Sequence, residues 1–119
     1  MTNEELKNRT RTFALRVIKL AKHFSPDDID RILIKQLIRS ATSVAANYRA
    51  ALKAKSKKDF VYKLTMIEEE ADESYFWLDL ISEAGILKPE KLTLLIQEAK
   101  ELTAIFTAQG KTARANLKN

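Results

Sequence analysis

Cysteine is absent from the 119-residue sequence, which excludes disulfides, a thiolate nucleophile and a thiolate-bound metal, and fits a reducing, cytoplasmic setting. Two glycines and two prolines leave little material for turns, so the chain reads as helices joined by short connections rather than as strands. Long apolar runs are missing too. No uncharged stretch exceeds the nine residues from Ser40 to Tyr48, far short of the roughly 20 apolar residues that a membrane helix needs. The N-terminal segment, MTNEELKNRTRTF, lacks the basic-then-apolar pattern of an export signal. A soluble, all-α domain without a membrane partner is expected.

What is present is charge, and it is unevenly placed. The formal net charge is +5, but Met1 to Lys22 holds six basic residues against two acids, whereas Asp59 to Glu83 holds eight acids and one lysine. Such polarity suits an anionic partner, or the pairing of one copy of the chain with another.

Apolar periodicity divides the chain into four helices. Leu6, Phe13, Val17, Leu20 and Phe24 share one stripe at helical spacing, which predicts a first helix over about 3–24. The sequence Ser25-Pro26-Asp27-Asp28 supplies a cap, a first-turn proline and acids for the positive end of the next helix. That second helix is predicted over 27–54. Ser56 with Asp59 repeats a serine-x-x-acid start, and Gly85 is suited to the left-handed residue that closes a third helix over 57–84. Pro89 opens a fourth over 89–109, ending at Gly110. These elements predict an antiparallel up-down four-helix bundle over residues 1–110, about 30 to 40 Å long, with residues 111–119 as a disordered tail.

Two faces exceed what such a bundle requires. The third helix carries one stripe of Phe60, Leu64, Ile67, Ala71, Leu78 and Ile81, and another that includes Tyr62, Met66, Trp77 and Leu80. The first helix carries Leu15 and Ile18 opposite Phe13 and Val17. Exposed apolar patches mark protein contacts, so these residues are expected at an interface between copies. Glu70 and Glu73, within the run EEEADE, are expected beside it, as an ordinary solvated face or, in the sharper reading, facing arginines of a neighbouring subunit. On the second helix Gln36, Ser40, Ser43 and Asn47, spaced four, three and four, make a polar ribbon of small or amide side chains. The ribbon is expected to let another backbone come close.

The residues for catalysis are scarce. A di-iron or di-manganese bundle needs Glu-x-x-His on two helices, yet the chain has one histidine and no such motif, so neither a metal site nor a cofactor is expected. Arg16 and His23 stand seven residues apart on one helical face, a weak likeness to small all-helical ribonucleases. No catalytic residue is assigned. Arg49, Lys53, Lys55, Lys57 and Lys58 follow one another without an intervening acid, at the turn between the second and third helices, and make a candidate phosphate-facing tip for RNA or DNA.

Over Arg39 to Leu80 the sequence resembles a bacterial four-helix-bundle family named for proteins encoded within intervening sequences of large-subunit ribosomal RNA genes. The resemblance rests on an Arg-Ser-x-x-Ser-x-x-x-Asn run, matched by Arg39, Ser40, Ser43 and Asn47, and on a Glu-x-x-Glu-x-x-x-Trp-Leu run, matched by Glu70, Glu73, Trp77 and Leu78. It implies a homopentameric ring of bundles without enzymatic activity. It also implies kinship with accessory proteins of diversity-generating retroelements, which bind nucleic acid and a reverse transcriptase. Family members often carry a glutamate two residues beyond a Tyr or Ile that follows the Asn-containing run; here Arg49 and Ala50 follow Tyr48. The expectation is a non-enzymatic, oligomeric binding or scaffold protein contacting RNA or a nucleoprotein. A purely structural oligomer is the alternative, and a small ribonuclease the third reading.

Overall fold

Four helices in chain order, α1 (Asn3–Ala21), α2 (Asp28–Ala51), α3 (Lys57–Glu83) and α4 (Pro89–Leu117), make up the computed structural model, which describes residues 1–118. Each helix packs on its neighbours in a square: α1 touches α2 and α4, and α3 touches the same two, while the diagonals do not meet. Short joins force successive helices to run antiparallel. The α3–α4 and α2–α3 contacts are extensive and the α1–α4 contact is the slightest.

The starts follow from caps. Thr2 Oγ1 accepts from the Glu5 amide at 3.0 Å, and Ser56 Oγ accepts from the Asp59 amide at 3.0 Å, while Asp59 Oδ2 accepts from the Lys55 amide at 3.2 Å. At α2 the cap is Asp27 rather than Ser25: its carboxylate accepts from the amides of Ile29 and Asp30, so the helix begins at Asp28 and Pro26 lies outside it. Ser25 instead accepts from the Asp27 amide and donates to Asp30 Oδ2.

The ends of α1 and α2 fall three residues short of the expected 24 and 54. In both cases the chain tightens into three-residue turns before it leaves the helix: Lys22, His23 and Phe24 donate to Lys19, Leu20 and Ala21, and Lys53 and Ala54 donate to Ala50 and Ala51. Such bonds use up the last carbonyls that an α-helix leaves orphaned. Gly85 has a φ of 70° and closes α3 as expected.

The larger difference is at α4. Gly110 does not end it; the helix continues to Leu117, so Lys111 to Leu117 are ordered rather than a frayed tail, and only Asn119 of the expected tail lies outside the described residues. Leu102, Phe106 and Gly110 are buried and Ala113 packs partly against the same core, a stripe at spacings of four, four and three that small side chains conceal. A methyl at Gly110 would approach Arg114 Nη1 at 3.1 Å. The helical backbone there needs no glycine, and the guanidinium is the end of an exposed, flexible side chain that can give way. With α4 this long, the bundle measures 51 × 22 × 20 Å, more than the expected 30 to 40 Å.

Leu6, Phe13, Leu37, Tyr48, Leu64, Ile67, Leu78, Ile81, Leu102 and Phe106 dominate the core. Tyr48 meets Phe106 with ring centroids 5.5 Å apart and tilted, and its hydroxyl reaches Asn3 Oδ1 at 3.4 Å. Burial raises the Tyr48 pKa. Of the two stripes on α3, the one with Leu64, Ile67, Ala71, Leu78 and Ile81 faces inward, joined by buried Ser74.

Candidate functional site

The polar ribbon on α2 faces α3. Ser40 is fully buried; its hydroxyl donates to the Leu37 carbonyl at 3.1 Å and accepts from Ser74 Oγ of α3 at 2.9 Å. Two serines therefore meet where larger residues would hold the helices apart. Gln36, Ser43 and Asn47 are half-buried along the same side. Ser74 was not among the residues expected here, although its place was legible: it is a small polar residue in register with Ala71 and Leu78, the counterpart of Ser40 opposite.

Above that seam lies Arg39. Its Nη2 donates to Glu73 Oε2 at 2.6 Å and its Nη1 lies 3.2 Å from Glu70 Oε2. That Glu70 oxygen is shielded from solvent and sits at ion-pair distance without hydrogen-bond alignment. The guanidinium, followed by the Trp77 indole, which donates to Glu73 Oε1 at 3.1 Å, holds the Glu73 carboxyl below the usual carboxylate range. This corrects the expectation that Glu70 and Glu73 await arginines of a neighbouring subunit: Arg39 of the same chain already engages them, because antiparallel packing sets it opposite both.

The apolar surplus is exposed as expected at Leu15, Ile18, Tyr62 and Leu80. Met66 and Trp77 are half-buried, and Trp77 packs against the core. The aromatic exposed beside Tyr62 on this face is instead Phe76, 53% exposed and edge-on to Trp77 at 5.0 Å. Its signal lay in the i, i+4 step from Phe76 to Leu80.

Arg49, Lys53, Lys55, Lys57 and Lys58 are all exposed at one end of the bundle. The last turns of α4 come to the same end, since Lys57 and Phe60 line one cavity of about 270 Å³ with Ala113 and Asn116. Lys111, Arg114 and Lys118 are exposed at the same end of the bundle, an addition that depends on the continuation of α4. Asp59, the nearest acid in sequence, is occupied by Lys63 at 2.8 Å, which with the Lys55 amide lowers its pKa. At the opposite end Arg16 and His23 line a shallow hollow with Glu90 and Lys91. Among the described residues no three His, Asp or Glu side chains cluster as metal ligands, and no helix is long and apolar enough to cross a membrane.

No curated protein matches the chain. The fold is similar to the crystal structure of a protein of unknown function from the S23 ribosomal protein family of Bacteroides thetaiotaomicron, with a TM-score of 0.84 and 29% identity over 93% of this chain and 99% of that one. A profile of the 23S rRNA-intervening sequence proteins matches residues 2–108, which takes in all of α1 to α3 and most of α4. With the four-helix architecture, the Ser40 seam and the Arg39 clamp in place, the chain belongs to the 23S rRNA-intervening sequence protein family.

Proposed function

We propose that this chain is a non-enzymatic, self-associating scaffold of the cytoplasm that presents its basic end to RNA. The observation that carries the reading is the convergence on that end of basic side chains from the α2–α3 turn and from the last turns of α4, with Asp59 already neutralised by Lys63. Phosphate attraction needs no sequence code, and repetition of the end in an oligomer would add weak sites through multivalency. Arg16 and His23 are given no part in cleavage. A purely structural oligomer is the second reading, favoured by the exposed apolar faces of α1 and α3, which need only another copy.

Gel shifts of generic single-stranded RNA over a salt series decide between the two. Affinity is expected to fall steeply with salt, the logarithmic slope losing about 0.7 for each phosphate contact removed. Replacing Lys53, Lys55, Lys57 and Lys58 with Gln should weaken binding equally for unrelated sequences and flatten the slope; adding Lys111→Gln and Arg114→Gln should flatten it further. Binding by the four-Gln variant equal to that of the unaltered chain would leave the structural reading.

A further inference from the structure

We infer that the hollow around Phe60, at the basic end of the bundle, receives an unstacked base of single-stranded RNA, so that this end distinguishes a single strand from a duplex. The inference deepens the RNA reading proposed above and rests on it. Phe60 lies in the first turn of α3, partly buried and packed against the core. It also lines two hollows, of about 340 and 270 Å³, which share Ala113 and Asn116 of α4 as well and so adjoin. The larger falls within the roughly 300 to 1,000 Å³ of small-ligand clefts.

The surroundings supply what a base needs. Ala108 and Ala113, which line the larger hollow with Phe60, are too short to cover the ring, and an aromatic surface left open can stack on any base. Gln109 and Asn116, two turns apart and therefore on one side of α4, edge the same hollow. Each amide both donates and accepts, which is the chemistry of a base edge. Their neighbours are already engaged: Thr112 donates to the Ala108 carbonyl at 3.2 Å, and Asn3 accepts from the Tyr48 hydroxyl at 3.4 Å. Among the described residues, the polar groups left to a ligand here are the two α4 amides.

Charge brings a strand to the same place. Lys57 lines the smaller hollow, and Lys53, Lys55, Lys58, Lys111 and Arg114 are exposed at this end. Of the acids nearby, Asp59 is held by Lys63, while Glu4 and Glu5 follow Asn3 on the α1 side and turn phosphates towards Lys57 instead. A surface that only attracted phosphate would prefer a duplex, whose charge density is about twice that of one strand. A base inside a duplex, however, is paired and stacked and does not reach a pocket. The two accounts therefore predict opposite preferences.

Gel shifts at one low salt concentration test this with unstructured oligo-U and with an oligo-A·oligo-U duplex of the same length. The unaltered chain is expected to bind the single strand more tightly. Phe60→Leu keeps an apolar side chain against the core and removes the ring; it should retain its helicity by circular dichroism and lose about tenfold in single-strand affinity, the worth of one stacked base. Its salt slope and its duplex affinity should not change, because no phosphate contact is removed. Phe60→Tyr, which keeps the ring, should bind as the unaltered chain does. Duplex bound as tightly as the single strand or more so, a Phe60→Leu variant that binds oligo-U undiminished, or one that loses both forms alike would overturn the base-binding hollow while phosphate attraction stands. Absence of binding to either form would sink the RNA reading together with it.

Discussion

Two seams of the bundle use the same ionic device in different surroundings. Between α2 and α3, Arg39 reaches Glu70 and Glu73; between α1 and α4, Arg9 reaches Glu98 and Glu101 at 2.7 and 3.0 Å. In each case one arginine spans two glutamates three residues apart on the facing helix. The Arg39 clamp is half exposed and covers a seam already closed by Ser40 and Ser74. The Arg9 clamp is more enclosed, with 26% exposure at Arg9 and 16% at Glu98, and it crosses the contact with the least helix-to-helix packing. Arg9 also donates through Nε and Nη2 to both oxygens of Glu98, at 2.8 and 2.7 Å, a two-pronged geometry that Arg39 lacks. Its hydrogen bonds to Glu98, opposed by burial, raise the pKa of a guanidinium that is charged in any case. The comparison teaches that an ion pair matters in proportion to what else holds the seam: on α2–α3 it lies over close packing, and on α1–α4 it stands in for it.

Breaking the packed seam should cost most. Ser40→Leu would force a branched side chain into the space where Ser74 approaches, and a loss of about 1 to 3 kcal/mol is expected from overpacking alone, read as a lower urea midpoint. Ser43→Leu, half-buried on the same ribbon, should cost less. If the two substitutions cost the same, the seam is not closest at Ser40 and Ser74.

The two clamps come next. Arg9→Ala should cost roughly 1 to 2 kcal/mol, because it removes charge-assisted bonds and strands a largely enclosed Glu98. Arg39→Ala, at a half-exposed site, should cost about 0 to 1 kcal/mol. Equal midpoints for these two variants would erase the distinction between the seams.

Acid should have the smallest effect, and it separates the same regions. Glu73 and Asp59 have folded pKa values lowered from 4.5 and 3.8. A lowered carboxyl pKa gives stability that is fully present above the unfolded value and is lost as pH falls through the folded one. Melting temperature should therefore be flat above about pH 5 and decline below it. The decline should be shallower in Arg39→Ala, which no longer holds Glu73 down.

Much of this was legible along the chain. Helix number, the starts at Asn3 and Lys57 and the left-handed turn at Gly85 follow from periodicity and capping, which act within one or two turns and need no partner; which stripe of α3 turns inward was settled by packing. Periodicity failed at Gly110, because its buried stripe continues through Gly110 and Ala113, residues too small to register as apolar. The Ser-Pro-Asp-Asp pattern pointed to Ser25 as the cap, and only the path of the chain moved that role to Asp27.

What the sequence by itself determined is the local layer: four amphipathic helices, short joins and a chain with basic and acidic halves. The tertiary structure alone decided which groups meet. Whether Glu70 and Glu73 face Arg39 or solvent, whether Ser40 finds Ser74, and whether the end of α4 adds lysines to the tip depend on the register of helices far apart in sequence. That register is set by the fit of many side chains at once, and no spacing within a single helix encodes it.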